Sequence, residues 1–320
     1  MKAIVVRAFG EPEVLRVEEV PAPKPGAGQV LIAVKAIGVN PVEVYVRAGA
    51  YPRKPELPYT PGTDAAGIVT ELGKGAKGFK IGDRVYIYGA VAGTYAADAV
   101  VETSRAFSLP KSLSFEQGAA LGVPYGTAHR ALFHFAVAQK GEVAFIHGAS
   151  GGVGVAAVQL ARAAGLTVIG TGGGPDGAAF VKSIGAHHAL DHRAPGYQEQ
   201  VLKITGGKGA NVIVEMLANV NLPADLALAA AGGRIVVVGS RGAVSIDPRA
   251  AMSKDASILG MSLWNMIDAD RKKVHASLAK GLKSGVLKPL IAKSFPLSDA
   301  ALAHEAVMVS GARGKIVLIP

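Results

Sequence analysis

Cysteine is absent from the 320 residues. That removes disulfides, thiolate nucleophiles and every cysteine-based zinc site together, and it agrees with a cytoplasmic location. Aromatic residues are scarce, at 6% with a single tryptophan, which leaves little material for the stacking platform of a single-strand nucleic-acid binder. No apolar run approaches the roughly 18 residues of a membrane span. The opening MKAIVVRAFG enters a strand-like run at once and shows no basic and apolar regions of a secretory signal. Acids are in deficit: 24 Asp and Glu face 34 Lys and Arg, for a net charge of +10. The surplus is spread out, with short clusters only at Arg53-Lys54 and Arg271-Lys272-Lys273. Such a surface is solvated and attracts anionic phosphates.

What the chain does have is glycine in a telling place. The run EVAFIHGASGGVGVAAVQL, residues 142–160, opens with a short apolar segment bounded by Gly141 and Gly148, the pattern of a buried parallel strand. Gly148, Gly151, Gly152 and Gly154 then make a tight turn, and Val155 to Leu160 continue with helix formers and no breaker until Gly165. Strand, glycine turn and helix place backbone N–H groups at a helix N-terminus, which suits a pyrophosphate. The fingerprint is A-x-G-x-x-G, with Ala149 in place of the first glycine. A second apolar strand from Leu166 to Gly170 supplies the βαβ context of a dinucleotide site.

An NAD site carries Asp or Glu about 20 residues past the glycines, to bond the ribose 2′-hydroxyl. Here that place holds Thr171-Gly172-Gly173-Gly174, and the first carboxylate is Asp176. An acid would repel a 2′-phosphate, whereas small residues with open N–H groups accept one, so the sequence favours NADP(H). No arginine stands in the turn itself.

At 320 residues there is room for about two domains. Residues 3–6, 15–20, 30–37, 66–72 and 85–88 are rich in β-branched side chains between Gly and Pro punctuation, and predict a barrel-like all-β domain with one helix at 41–48. Around residues 114–131 the character shifts to Ala/Gly-rich helices, and then a βα alternation begins. Strands are expected at 143–147, 166–170, 188–190, 211–215, 234–238 and 257–260, with helices at 152–164, 175–184, 195–204 and 221–230. The fold class is therefore α/β, a Rossmann doubly wound parallel sheet joined to a barrel-type β domain. The boundaries expected are 1–115, 116–264 and a return segment 265–320, with a basic amphipathic helix at 271–282 and a last strand at 315–319 that rejoins the first domain.

Several motifs in this order carry a resemblance: Asn40-Pro41-Val42-Glu43, Tyr59-Thr60-Pro61-Gly62, HGASGGVG at 147–154, EMLANVN at 215–221 and VGSRG at 238–242. Over essentially its whole length the chain resembles the zeta-crystallin-like quinone oxidoreductases of the medium-chain dehydrogenase/reductase superfamily. The resemblance implies a GroES-like catalytic domain made from both chain ends, a Rossmann domain, and NADPH in the cleft between them. It also implies NADPH-dependent reduction of a quinone or another small electrophilic acceptor, and a homodimer or homotetramer. Zinc-dependent members have cysteine and a Gly-His-Glu run in the first domain. The comparable segment here is Gly62-Thr63-Asp64, so the chain resembles the zinc-free branch. Without a Lewis acid to stabilise an alkoxide, alcohol oxidation is disfavoured. Reduction of a low-lying acceptor needs mainly a positioned nicotinamide.

Carried over residue by residue, Ser150, Gly151, Gly152 and Val153 match the pyrophosphate turn, Gly173 a small residue beside the adenosine ribose, and His192 a residue on the 2′-phosphate side. Asn221 and the run Val238, Gly239, Ser240 and Arg241 match positions where the cofactor passes the sheet edge; Arg241 is either a phosphate partner or a surface ion-pair partner. Tyr45 matches a residue near the nicotinamide, where its hydroxyl orients the acceptor or donates a proton, or its ring packs the wall. Asn40 stands similarly, as an orienting amide. Thr127, after Pro124-Tyr125, is a further candidate near the nicotinamide. No Ser-His-Asp or paired-carboxylate arrangement is legible, and His129, His134, His187, His188, His275 and His304 read as packing or surface residues. Three other readings remain: a reductase of α,β-unsaturated aldehydes or ketones, an AU-rich RNA binder, and a structural crystallin-like protein.

Overall fold

A computed structural model describes residues 1–320. Two compact units divide the chain: Met1–Val123 with Pro289–Pro320, and Pro124–Lys288.

The first unit begins with β1 (Lys2–Val5), β2 (Arg16–Glu19) and the long β3 (Gln29–Val39), followed by α1 (Pro41–Arg47). Then come β4 (Asp64–Leu72), β5 (Arg84–Tyr88), β6 (Asp98–Glu102), β7 (Ala106–Ser108) and the short α2 (Phe115–Ala119). The strands expected from β-branched runs are all present. β6 and β7 were not expected.

The second unit follows with α3 (Gly122–His129), whose first residues fall before the division, then β8 (Val143–Ile146), α4 (Gly152–Ala163), β9 (Thr167–Gly172), α5 (Gly174–Ser183) and β10 (His188–Asp191). It continues through α6 (Tyr197–Ile204), β11 (Ala210–Glu215), α7 (Ala218–Leu228), β12 (Ala229–Val237), α8 (Pro248–Met252), β13 (Ser257–Gly260) and α9 (Asp268–Lys283). Its six strands are parallel, in the order β10-β9-β8-β11-β12-β13. The chain winds outward from β8 to β10, then returns to β11 on the other side, so the strand order reverses between β8 and β11. Ligands of such sheets lie beyond the strand ends at that reversal.

Local chemistry explains the central βα unit. Ala144, Phe145 and Ile146 are fully buried, worth roughly 1.5–3 kcal/mol for each of the two large side chains. α4 closes in a Schellman motif: Gly165 takes a left-handed φ of 80°, its N–H donates to Arg162 O, and Leu166 N–H donates to Ala161 O.

Back in the first unit, β14 (Ile291–Pro296), α10 (Ala300–Met308) and β15 (Lys315–Ile319) complete a seven-stranded sheet ordered β14-β15-β3-β4-β5-β7, with β6 on β3. Its core gathers Ile4, Ile32, Ile37, Val69, Ile87 and Leu318. The division differs from the expected boundaries. Residues 265–288, assigned by sequence to the return segment, belong to the second unit, because α9 buries Val274, Leu278 and Leu282 there and Gln159 bonds Lys288 through both its amide atoms (2.8 and 2.9 Å). No helix is long and apolar enough to cross a membrane.

Candidate functional site

In the second unit, the sequence-matched coenzyme residues all follow C-terminal ends of strands of one sheet. Ser150 to Val153 lie between β8 and α4, Gly173 follows β9, and His192 follows β10. Asn221 is in α7 after β11, and Val238 to Arg241 follow β12.

The turn after β8 is built for close approach. Gly148 adopts φ 53° and its N–H donates to Thr171 Oγ1 at 3.1 Å, while Ala149 N–H donates to Thr171 O at 2.8 Å. At Gly154 a β-carbon would lie 2.2 Å from Gly148 O, so only glycine fits; at Gly151 the nearest atom would be 3.6 Å away. Gly151 caps α4 without a side chain, which leaves the first-turn N–H groups of the helix open to an anion. These features fit a dinucleotide diphosphate.

Beyond β9 the arrangement adds a residue that sequence spacing did not reveal. Arg193, exposed after β10, lays its guanidinium against Gly173, where a β-carbon would stand 3.2 Å from Nε and 3.3 Å from Nη2. Asp191 fixes this corner, with Oδ1 accepting from Gly174 N–H (2.8 Å) and Arg193 N–H (2.9 Å). Those backbone bonds hold the Asp191 carboxyl below its usual range. Asp191 is thus engaged by backbone, and the Arg193 guanidinium faces Gly173. His192 is exposed, and partial desolvation lowers its pKa. Arg241 is anchored by its N–H to Asn219 Oδ1 at 2.9 Å.

At the strand reversal lies a buried cluster that the spacing did not show. His147, at the end of β8, places Nε2 2.7 Å from Asp225 Oδ1 and 3.3 Å from Glu215 Oε2. Glu215 ends β11, Asp225 is on α7, and both are 0% exposed. Glu215 Oε1 accepts from Leu217 N–H and from Asn221 Nδ2 at 3.1 Å. Burial pushes both carboxyls up to about 7 and holds the imidazole below its ordinary value.

The first unit carries a second buried network. Pro41 opens α1, and Glu43 reaches back to accept from Asn40 N–H at 2.8 Å. Asn40, 2% exposed, donates Nδ2 to Glu43 Oε1 and Asp64 Oδ2 (both 3.1 Å), and its Oδ1 accepts from Lys315 Nζ. Lys315 Nζ also pairs with Asp64 Oδ2 at 3.4 Å. Tyr95 donates to Glu43 Oε2 at 2.9 Å, with His304 Nε2 3.0 Å from the same hydroxyl. Asn40 therefore has both atoms of its amide engaged inside the unit, by Glu43, Asp64 and Lys315. Tyr45, half-buried on α1, is presented by this capped helix. Thr127 is buried on α3 at 5% exposure.

Across its whole length the chain is 48% identical to the quinone oxidoreductase of Rattus norvegicus, covering 98% of that protein. The chain belongs to the quinone oxidoreductase family of the medium-chain dehydrogenase/reductase superfamily. Family models agree on both parts: an alcohol dehydrogenase GroES-like domain matches residues 26–121, and a zinc-binding dehydrogenase matches residues 152–280. Quinone oxidoreductase 1 of Escherichia coli is 33% identical over 97% of each chain. Among solved structures, an E. coli quinone oxidoreductase complexed with NADPH superposes with a TM-score of 0.90 at 31% identity, and an NAD-dependent alcohol dehydrogenase with 0.93 at 30%, each over 100% of both chains. The same fold thus occurs in a protein described as NAD-dependent and in one complexed with NADPH.

The zinc of alcohol-oxidising relatives finds no fitting donors in the first unit. Cysteine is absent, and Asp64, in the segment comparable to their Gly-His-Glu run, already pairs with the buried Lys315 ammonium.

Proposed function

We propose that the chain transfers reducing equivalents from NADPH to quinones without a metal ion. The observation that carries the reading is the Gly173 corner: Thr171 to Gly174, from the end of β9 to the start of α5, carry no carboxylate, and the Arg193 guanidinium lies against Gly173 with Asp191 held by backbone N–H groups. That arrangement favours a 2′-phosphate over a 2′-hydroxyl. The open N-terminus of α4 receives the diphosphate, and the bound coenzyme supplies the hydride or electrons. In the first unit, the caged Lys315 ammonium supplies the fixed positive charge of the Asn40–Asp64 network and keeps a second cation out. Tyr45 is the residue of α1 offered to the acceptor.

Steady-state kinetics with a benzoquinone and with an enone, at matched NADPH and then NADH, test this. The expected result is higher kcat/KM for the quinone, a strong preference for NADPH, and no change with chelator. A dominant enone activity would move the reaction to the carbon–carbon double-bond reductases.

A further inference from the structure

Two carboxyls and one imidazole occupy the strand reversal of the second unit, in contact and without solvent. The ligating atoms of His147, Glu215 and Asp225 all lie within 4.8 Å of one another. Two carboxylates this close and this buried do not both stay ionised, because like charges in a low dielectric exclude each other. The imidazole Nε2 makes its one close contact with Asp225 Oδ1, while Glu215 Oε2, at 3.3 Å from it, and Asp225 Oδ2 receive no well-formed hydrogen bond. Buried acceptors in that condition are costly unless a proton is shared between them.

The cluster is placed where it matters for the diphosphate turn. His147 immediately precedes Gly148, and Glu215 Oε1 holds Leu217 N–H and the Asn221 amide. We propose that His147, Glu215 and Asp225 form a proton-retaining seat for the coenzyme, which keeps negative charge away from the diphosphate and aims Asn221 at the crevice. The inference rests on the coenzyme reading above. Loss of the shared proton adds a negative charge beneath an anionic ligand, so coenzyme binding draws the proton in and weakens as the pair ionises. Burial, which pushes both acids up to about 7, places this near neutrality, and the proton belongs to the pair rather than to either residue. The groups that face the seat are His147 from β8, Glu215 from β11, Asp225 from α7 and, acting on His147 from the loop after β10, His192.

The decisive comparison is wild type against Asp225→Asn, whose amide copies a permanently protonated carboxyl. Coenzyme Kd is measured by fluorescence titration from pH 6 to pH 9. His192 and the coenzyme's 2′-phosphate, with a second pKa near 6, titrate in both proteins, so the difference between the two profiles belongs to the seat. In wild type, affinity should fall about tenfold with rising pH beyond the change in the variant, the equivalent of one pKa unit of differential interaction. Calorimetry of both proteins in buffers of different ionisation enthalpy gives a second reading: net proton uptake on binding near pH 7.5 that is present in wild type beyond the uptake of Asp225→Asn. Parallel profiles in the two proteins, or no such excess of proton uptake, overturn the proposal, as does a stoichiometric divalent ion whose removal abolishes affinity. If wild type binds neither NADPH nor NADH at any pH, the coenzyme reading fails instead.

Discussion

The guanidinium of Arg193 rests on the α-carbon side of Gly173, near enough that a β-carbon there would stand 3.2 Å from Nε. Replacing Arg193 by Ala removes a charged donor worth about 1.5–3 kcal/mol to a phosphate oxygen, so NADPH affinity should fall roughly 10- to 100-fold with little change for NADH. Gly173→Asp should go further and reverse the preference, since the new carboxylate neutralises Arg193 and repels the 2′-phosphate. The ratio of kcat/KM for the two coenzymes is the measurement. An unchanged ratio in both variants would place the phosphate elsewhere.

Gly154 and Gly151 separate folding from binding. An alanine methyl at Gly154 would press on Gly148 O at 2.2 Å and Ala149 Cα at 2.5 Å, so Gly154→Ala should destabilise by about 1–3 kcal/mol or more. At Gly151 the nearest atom is 3.6 Å away, so Gly151→Ala should keep its urea midpoint while coenzyme affinity drops. Equal loss of stability in the two variants would contradict this division.

Lys315→Met leaves Asp64 and Glu43 buried without their cation. The expected cost is about 3–5 kcal/mol in equilibrium unfolding. Burial already raises both acids, and without Lys315 they rise further, so the deficit relative to wild type should widen as pH increases through the carboxylate range. A deficit independent of pH would assign the loss to packing alone.

Stability should carry the mark of the His147 cluster as well. Glu215 and Asp225 have folded values near 7, above their ordinary range, so their contribution is full in acid and is lost as pH rises through 7. Buried neutral His275 and His304, lowered to about 3, act in the opposite direction up to about pH 6.5. Subtracting the unfolding free energy of Asp225→Asn from that of wild type cancels them. The difference should decline by roughly 2 kcal/mol between pH 5 and pH 8; a flat difference would mean that the pair does not titrate there.

Much of the fold is legible from local pattern, and the reasons are specific. β13 and β15 were placed to the residue because each is a short apolar run between breakers. β14 escaped notice because it borders the sheet and buries only Phe295 among its six residues, so no alternation marks it. α7 starts three residues earlier than expected, fastened by Ala218 N–H to Gly239 O at 2.9 Å, a contact between strand ends that no local window contains. The glycine turn declared itself because strand, turn and helix are contiguous. The partners that complete each site are distant in sequence. Asp225 lies 78 residues from His147, and Lys315 lies 275 residues from Asn40. Arg193 reaches Gly173 only because β10 pairs with β9.

The placement of β15 between β14 and β3 has a consequence for biogenesis. On the ribosome, Glu43 and Asp64 emerge long before Lys315, with the whole of Pro124–Lys288 translated in between. The later unit is contiguous and is free to condense first, while the earlier one waits with two acids that have no cation to meet. Nascent chains arrested before β15 should therefore show a protease-resistant nucleotide-binding half and a digestible amino-terminal half.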